Sequence, residues 1–168
     1  MKIYLVGYMY SGKSTLGRQL AKRLGYQFLD LDILFEERYH TSVPVFFSHY
    51  DEAAFRRLEQ QLLYSTATLN DVVVSTGGGT PCYADNMQWI NAHGTSVFLE
   101  VSLPCLVARS NASRKQRPIL TRLTPEQREI HIREHLTSRL PIYQQAHILF
   151  PADAPDVEAL VTELHRVV

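Results

Sequence analysis

The sequence predicts an α/β protein, a parallel sheet of five strands with helices on both faces. Three observations lead there. Short apolar runs at Ile3–Val6, Tyr26–Leu29, Asp71–Ser75, Ser96–Val101 and His147–Phe150 alternate with segments whose apolar residues recur at helical spacing. The first three runs each lead directly into glycine or aspartate, at the strand end where open parallel sheets hold ligands. No repeat, low-complexity tract or long linker divides the 168 residues, so a single domain over 1–168 is expected.

Strand one leads into the most informative stretch. Gly7 is followed by four residues and then Gly12-Lys13-Ser14-Thr15, the pattern of a phosphate-binding P-loop. Leu16, Leu20 and Leu24 continue it at helical spacing, and Gly25 is a suitable helix stop. The order of parts has a physical reason. Glycines at both ends let the backbone curl so that N–H groups point into one concavity, and the following helix aims its partly positive N-terminus there. Gly7, Ser11, Gly12, Lys13, Ser14 and Thr15 are therefore candidate ligands of a nucleoside triphosphate. Lys13 would reach the β- and γ-phosphates, and the Ser14 hydroxyl would ligate Mg²⁺. A Gly-Lys-Ser turn without a ligand would need neither the strand in front nor the helix behind.

Asp30 and Asp32 follow strand two. Either can cap the helix expected over Ile33–Tyr39, and one carboxylate can hold Mg²⁺ through water while the other meets a substrate hydroxyl. The aromatic-rich Thr41–Tyr50 receives no assignment. A helix from about Asp51 to Thr66 carries Phe55, Leu58 and Leu62 on its apolar stripe; Arg56 can turn toward a ligand carboxylate, with Glu59 fixing its rotamer. Strand three runs into Thr76-Gly77-Gly78-Gly79, one glycine more than a turn needs, so something approaches the backbone closely there. Cys82 breaks any G-x-G-x-x-G fingerprint. A helix from about Tyr83 to His93 ends at Gly94, and another runs from Ser102 to about Arg109.

Periodicity then disappears over Ser110–Leu123, where basic residues collect, a solvated loop or a flap able to close over phosphates. Thr124-Pro125-Glu126-Gln127 is a capping box that starts a helix with Ile132, Leu136 and Leu140 on one face, ended by Arg139–Tyr143. His131 and His135 are read as surface histidines, not metal ligands. Pro155 opens a closing helix.

Composition narrows the classes. Formal net charge is zero, 45% of residues are hydrophobic and 20% charged, which argues against a nucleic-acid partner. Cys82 and Cys105 are isolated thiols with no zinc or disulfide pattern. No apolar run approaches membrane-spanning length and the first residues are a core strand rather than a leader, so a cytoplasmic location with no membrane partner is expected. A monomer is expected, since no apolar stripe is left over.

Taken together, six stretches resemble the shikimate kinases: GYMYSGKSTLGR at 7–18, FLDLD at 28–32, DEAAFRRLE at 51–59, STGGG at 75–79, RPIL at 117–120 and RLPIY at 139–143. The resemblance implies a three-layer P-loop kinase fold with a mobile lid over about 110–123 and a substrate-binding segment over about 31–62. It implies Mg²⁺-dependent transfer of the ATP γ-phosphoryl to the 3-hydroxyl of shikimate, a step of aromatic amino acid biosynthesis. By the same resemblance Asp30 lies near Mg²⁺ and Asp32 binds the ring hydroxyls as candidate base. Arg56 and Arg139 clamp the carboxylate, and Glu59 orients the arginine. Gly77, Gly78 and Gly79 bind substrate, and Phe47 and Phe55 line its pocket. Arg117 reaches the phosphates from the lid and Arg109 stacks on adenine. The chain departs from the family at Tyr10 and Asp51, where glycine is usual, in a lid one residue longer, and in a 151–155 loop without arginine. A gluconate kinase would share the P-loop but has less use for two arginines on a carboxylate. A nucleotide-responsive binding protein without catalysis is the alternative outside enzymes.

Overall fold

The computed structural model describes residues 1–113 and 118–168. Its strands are β1 (Lys2–Val6), β2 (Gln27–Asp30), β3 (Val72–Ser75), β4 (Thr95–Glu100) and β5 (Ile148–Pro151), all parallel in the order β2-β3-β1-β4-β5. The middle strand is the most apolar. Ile3, Tyr4, Leu5 and Val6 are fully buried, as a parallel strand covered on both faces requires. The register aligns the strand ends that matter: Leu5 lies beside Ser75, and Ser75 beside Asp30. The segments that follow β1, β2 and β3 therefore emerge side by side.

Alternation along the strands assigns the helices to faces. Leu5 and Phe28 meet α1 (Lys13–Leu24) at Gly17, where a Cβ would lie 2.6 Å from Phe28 Cε2. Helix α9 (Val157–Val167) packs beside α1. Tyr4 points to the other side, onto Trp89 of α5 (Asn86–His93), with ring centroids 6.1 Å apart. Phe98, in register with Val6, stacks at 5.2 Å on Tyr143 of α8 (Pro125–Tyr143). The sheet thus has helices on both faces, as the sequence predicts.

The remaining helices are α2 (Leu31–Tyr39), α3 (Val43–His49), α4 (Glu52–Ser65), α6 (Leu103–Ala112) and the short α7 (Pro118–Thr121). The segment left unassigned in the sequence holds α3, capped by Ser42 and carrying Pro44 in its first turn. Phe35 of α2, Phe46 of α3, and Phe55 and Leu62 of α4 form a small core of their own, with Phe35 centred 5.2 Å from Phe46 and 5.0 Å from Phe55. Asp51, a departure from the family pattern, is the N-cap of α4 and accepts from Ala54 N–H at 2.8 Å.

Two boundaries differ from expectation. Helix α5 starts at Asn86 rather than Tyr83, because the chain first makes a 3₁₀ turn over Thr80–Cys82. Helix α6 continues past Arg109 to Ala112, capped at its start by Ser102. No helix among the described residues is long and apolar enough to cross a membrane. The expected lid over 110–123 is described only at its two ends, and Arg117 lies outside the described residues.

Candidate active site

The loop between β1 and α1 takes the conformations its glycines permit. Gly7 has φ 149° and Gly12 φ 88°, both in the region that favours glycine. Tyr10 occupies that region too, at φ 67°. Arg109 holds it there: Nη1 donates to the Tyr10 carbonyl at 3.0 Å, while Nη2 donates to the carbonyls of Ala152 at 3.1 Å and Asp153 at 3.0 Å. The Tyr10 ring packs against the main core. Arg109, expected from the resemblance at the adenine, thus ties the phosphate loop to the 151–155 loop. Buried Lys13 donates from Nζ to the carbonyls of Gly7 at 2.7 Å and Tyr8 at 2.9 Å, and to Ser11 Oγ at 3.3 Å.

Asp30 does two jobs with its two oxygens. Oδ1 accepts from the N–H groups of Asp32 at 2.9 Å and Ile33 at 3.3 Å, capping α2, while Oδ2 accepts from Ser14 Oγ at 2.5 Å. One side chain thus caps a helix and holds the Ser14 hydroxyl. Asp32 follows in the first turn of α2, half-buried. A cleft of about 270 Å³ is bordered by Gly12, Lys13, Ser14, Asp30, Asp32 and the Gly77–Gly78 backbone. Thr15 also borders it.

The triple glycine leads to a second cleft of about 360 Å³, bordered by Glu52, Arg56, Gly79, Cys82, Tyr83 and Arg139. Arg56 is held from its own helix. Nη1 donates to Glu59 Oε1 at 2.8 Å, and Nε lies 3.4 Å from Glu52 Oε1. Glu59 is 3% exposed, and its second oxygen accepts from Thr80 Oγ1 at 2.8 Å. Burial pushes the Glu59 carboxyl up, and Arg56 and Thr80 oppose that shift. For Arg56 burial disfavours the charge, but Glu59 and Glu52 outweigh it and the guanidinium is raised.

The glycines make room for these side chains. A Cβ on Gly77 would lie 2.9 Å from Glu59 Oε2 and 3.3 Å from Asp32 Oδ1; one on Gly78 would lie 3.2 Å from Arg139 Nη1; one on Gly79 would lie 2.7 Å from Arg56 Cζ. The close approach inferred from the sequence is made by the protein's own polar side chains.

The two aromatics that the resemblance puts at the pocket lie together beside Arg56. Phe55 is buried in the small core with Arg56 Cζ 5.2 Å from its ring centre, and Phe47 is 40% exposed and 4.8 Å from Phe55. Both support the helix that carries Arg56. Other contributors were missed. Glu52 is visible as the residue one turn before Arg56, whereas Cys82 and Tyr83 carry no sequence signal. Burial pushes the Cys82 thiol up, against the pull of Arg139 and Arg56. Tyr143, inside the RLPIY stretch, is buried and donates to the Gly78 carbonyl at 2.6 Å. His135, read as a surface histidine, is instead half-buried against Tyr8, because α8 turns it toward the phosphate loop.

A strand–loop–helix carrying Lys13 and Ser14, with Asp30 and Asp32 beside it and a cation-lined cleft next door, defines a P-loop small-molecule kinase. The sequence profile of the shikimate kinase family matches residues 9–168. A shikimate kinase of Parabacteroides distasonis is 43% identical over 162 residues, covering 96% of this chain and 91% of that protein. The crystal structure of shikimate kinase from Bacteroides thetaiotaomicron superposes with a TM-score of 0.92 at 40% identity, covering 99% of this chain and 97% of that one. Shikimate kinase from Acinetobacter baumannii, solved in complex with shikimate, gives 0.87 at 31% identity over 99% of this chain and 91% of that one. The chain belongs to the shikimate kinase family.

Proposed function

We propose that this chain transfers the γ-phosphoryl group of ATP to the 3-hydroxyl of shikimate, giving ADP and shikimate 3-phosphate. The observation that carries the reading is the pairing of clefts: Arg56 and Arg139 border one, Lys13 and Asp32 the other, and the Gly77–Gly79 backbone joins them. Such an acceptor needs a negative group for the arginines and a hydroxyl within reach of Asp32, and a hydroxylated ring carboxylate has both.

Phosphoryl transfer asks for alignment and charge neutralisation more than covalent chemistry. Lys13 would exchange its loop carbonyls for β- and γ-phosphate oxygens. Gly7, Ser11, Gly12 and Thr15 belong to the loop that cradles the phosphates. The Ser14 hydroxyl and Asp30 carboxylate are the hard oxygen donors that suit Mg²⁺, which when bound offsets phosphate charge. Asp32 orients the acceptor hydroxyl and takes its proton. Arg56 and Arg139 fix the carboxylate, with Glu59 holding Arg56. The resemblance assigns Arg117 to the phosphates and Arg109 to the adenine. Residues 31–62 form the acceptor wall, residues 110–123 the lid, and the enzyme works as a cytoplasmic monomer.

ADP release with MgATP, compared for shikimate, quinate, gluconate and no acceptor, tests this. Strong stimulation by shikimate alone supports the reading. Stimulation by gluconate instead would keep the kinase and discard the arginine clamp as assigned to shikimate, and bound ATP with silence from every acceptor would make the protein a nucleotide-responsive binder.

A further inference from the structure

Helix α8 presents three residues at four-residue intervals on one face, and each reaches a different part of the site. Tyr143 donates to the Gly78 carbonyl at 2.6 Å. Arg139 borders the acceptor cleft. His135, one turn before it, shares a 3.1 Å hydrogen bond between Nδ1 and the Tyr8 hydroxyl, and the two rings meet edge to face at 5.4 Å. Tyr8 is the residue after Gly7 in the phosphate loop and only 1% exposed. Its ring lies under the Arg139 guanidinium, with Cζ 5.8 Å from the centroid, and its carbonyl accepts from Lys13 Nζ at 2.9 Å. One residue therefore touches both the P-loop lysine, through its carbonyl, and the acceptor-side arginine, through its ring.

We propose that Tyr8 and His135 are positioning residues for Arg139. The aromatic face of Tyr8 supports the guanidinium, and the phenol–imidazole hydrogen bond keeps that face square to it. A flexible arginine is thereby aimed into the acceptor cleft before the substrate arrives, which lowers the entropy lost on binding the carboxylate. Neither residue touches the reacting groups, so their removal weakens capture of the carboxylate and leaves the transfer step intact. The inference rests on the carboxylate-clamp reading of Arg139 given above.

Steady-state kinetics on Tyr8→Phe, His135→Gln and their combination separate the possibilities. Each single variant is expected to raise the KM for shikimate about three- to tenfold. The kcat and the KM for ATP should stay within about twofold, and the double variant should do no more than the worse single one, because both act through the same contact. With the methyl ester of shikimate as acceptor the variants should match the unaltered protein, since no carboxylate remains to be held. Unchanged KM for shikimate in both single variants overturns the inference. So does an equal loss with the ester, which would mark a general loosening of the fold. If the unaltered protein releases ADP with shikimate but Arg139→Ala leaves KM unchanged, the clamp reading fails and this inference with it. If it releases no ADP with shikimate at all, the failure lies in the proposed function.

Discussion

Gly79→Ala isolates what the triple glycine does. Gly79 sits at φ −91°, ψ −8°, a right-handed conformation that alanine adopts without strain, so the backbone raises no objection. The added methyl would stand 2.7 Å from Arg56 Cζ and 2.8 Å from Nη1, well inside contact distance. The loop is pinned, because the amides of Thr80 and Cys82 bond back to Gly77 and Gly79 at 3.1 Å, so the arginine must move. A displaced guanidinium gives up its 2.8 Å bond to Glu59 and leaves that buried carboxylate with Thr80 alone. Losing a charged hydrogen bond costs about 1.5–3 kcal/mol, while alanine restrains the unfolded chain and returns about 0.4–1 kcal/mol. The net loss is about 1–2 kcal/mol, or a Tm lower by roughly 2–8 °C for a chain of this size. The functional loss is larger in proportion. Misplacing one carboxylate-binding arginine forfeits about 1.5–3 kcal/mol of acceptor binding, which raises the KM for shikimate roughly 10- to 150-fold with the KM for ATP unchanged. Thermal denaturation and initial rates at varied shikimate measure both. A variant with unaltered Tm and shikimate KM would show that the glycine is not there to admit Arg56.

Two further outcomes follow from the site. Asp32→Asn keeps the shape and the hydrogen-bonding reach but removes the base, so turnover should fall about 10²–10⁴-fold with nucleotide affinity retained; near-normal turnover would remove Asp32 from the mechanism. His135 is held near pKa 4, below the usual 6.5, chiefly by burial and then by Arg139 and His131. The unfolded chain therefore takes up the proton first, and stability is lost as pH falls from about 6.5 to about 4. The ceiling of about 3 kcal/mol is reduced to roughly 1–2 kcal/mol by solvent reaching the half-buried ring. Urea unfolding across that window should show a steeper pH slope for the unaltered protein than for His135→Gln, and equal slopes would contradict the burial of this ring.

What the sequence made legible was local. The phosphate loop, the Gly25 helix stop and the Thr124–Gln127 capping box each depend on residues adjacent in the chain, and each forms as read. The central strands β1, β3 and β4 could be read because parallel strands buried on both faces are continuous apolar runs. What escaped depends on partners distant in the chain. The short helix α3 mixes β-branched and aromatic residues and is stabilised by packing on Phe35 and Phe55, so its own periodicity is weak. His135 meets a residue 127 positions away, which no spacing rule reports.

The small core formed by Phe35, Phe46, Phe55 and Leu62 has a consequence for how such a protein can change its acceptor. Helices α2, α3 and α4 draw their cohesion from one another as well as from the sheet, so the acceptor wall proposed for them would be an exchangeable panel rather than an outgrowth of the frame. Substitutions there can reshape the cavity without disturbing the strands that align the phosphate loop with Asp30. On that proposal phosphoryl transfer and acceptor choice can diverge at different speeds: the sheet fixes the transfer machinery, while the choice of acceptor would fall to a module with its own interior.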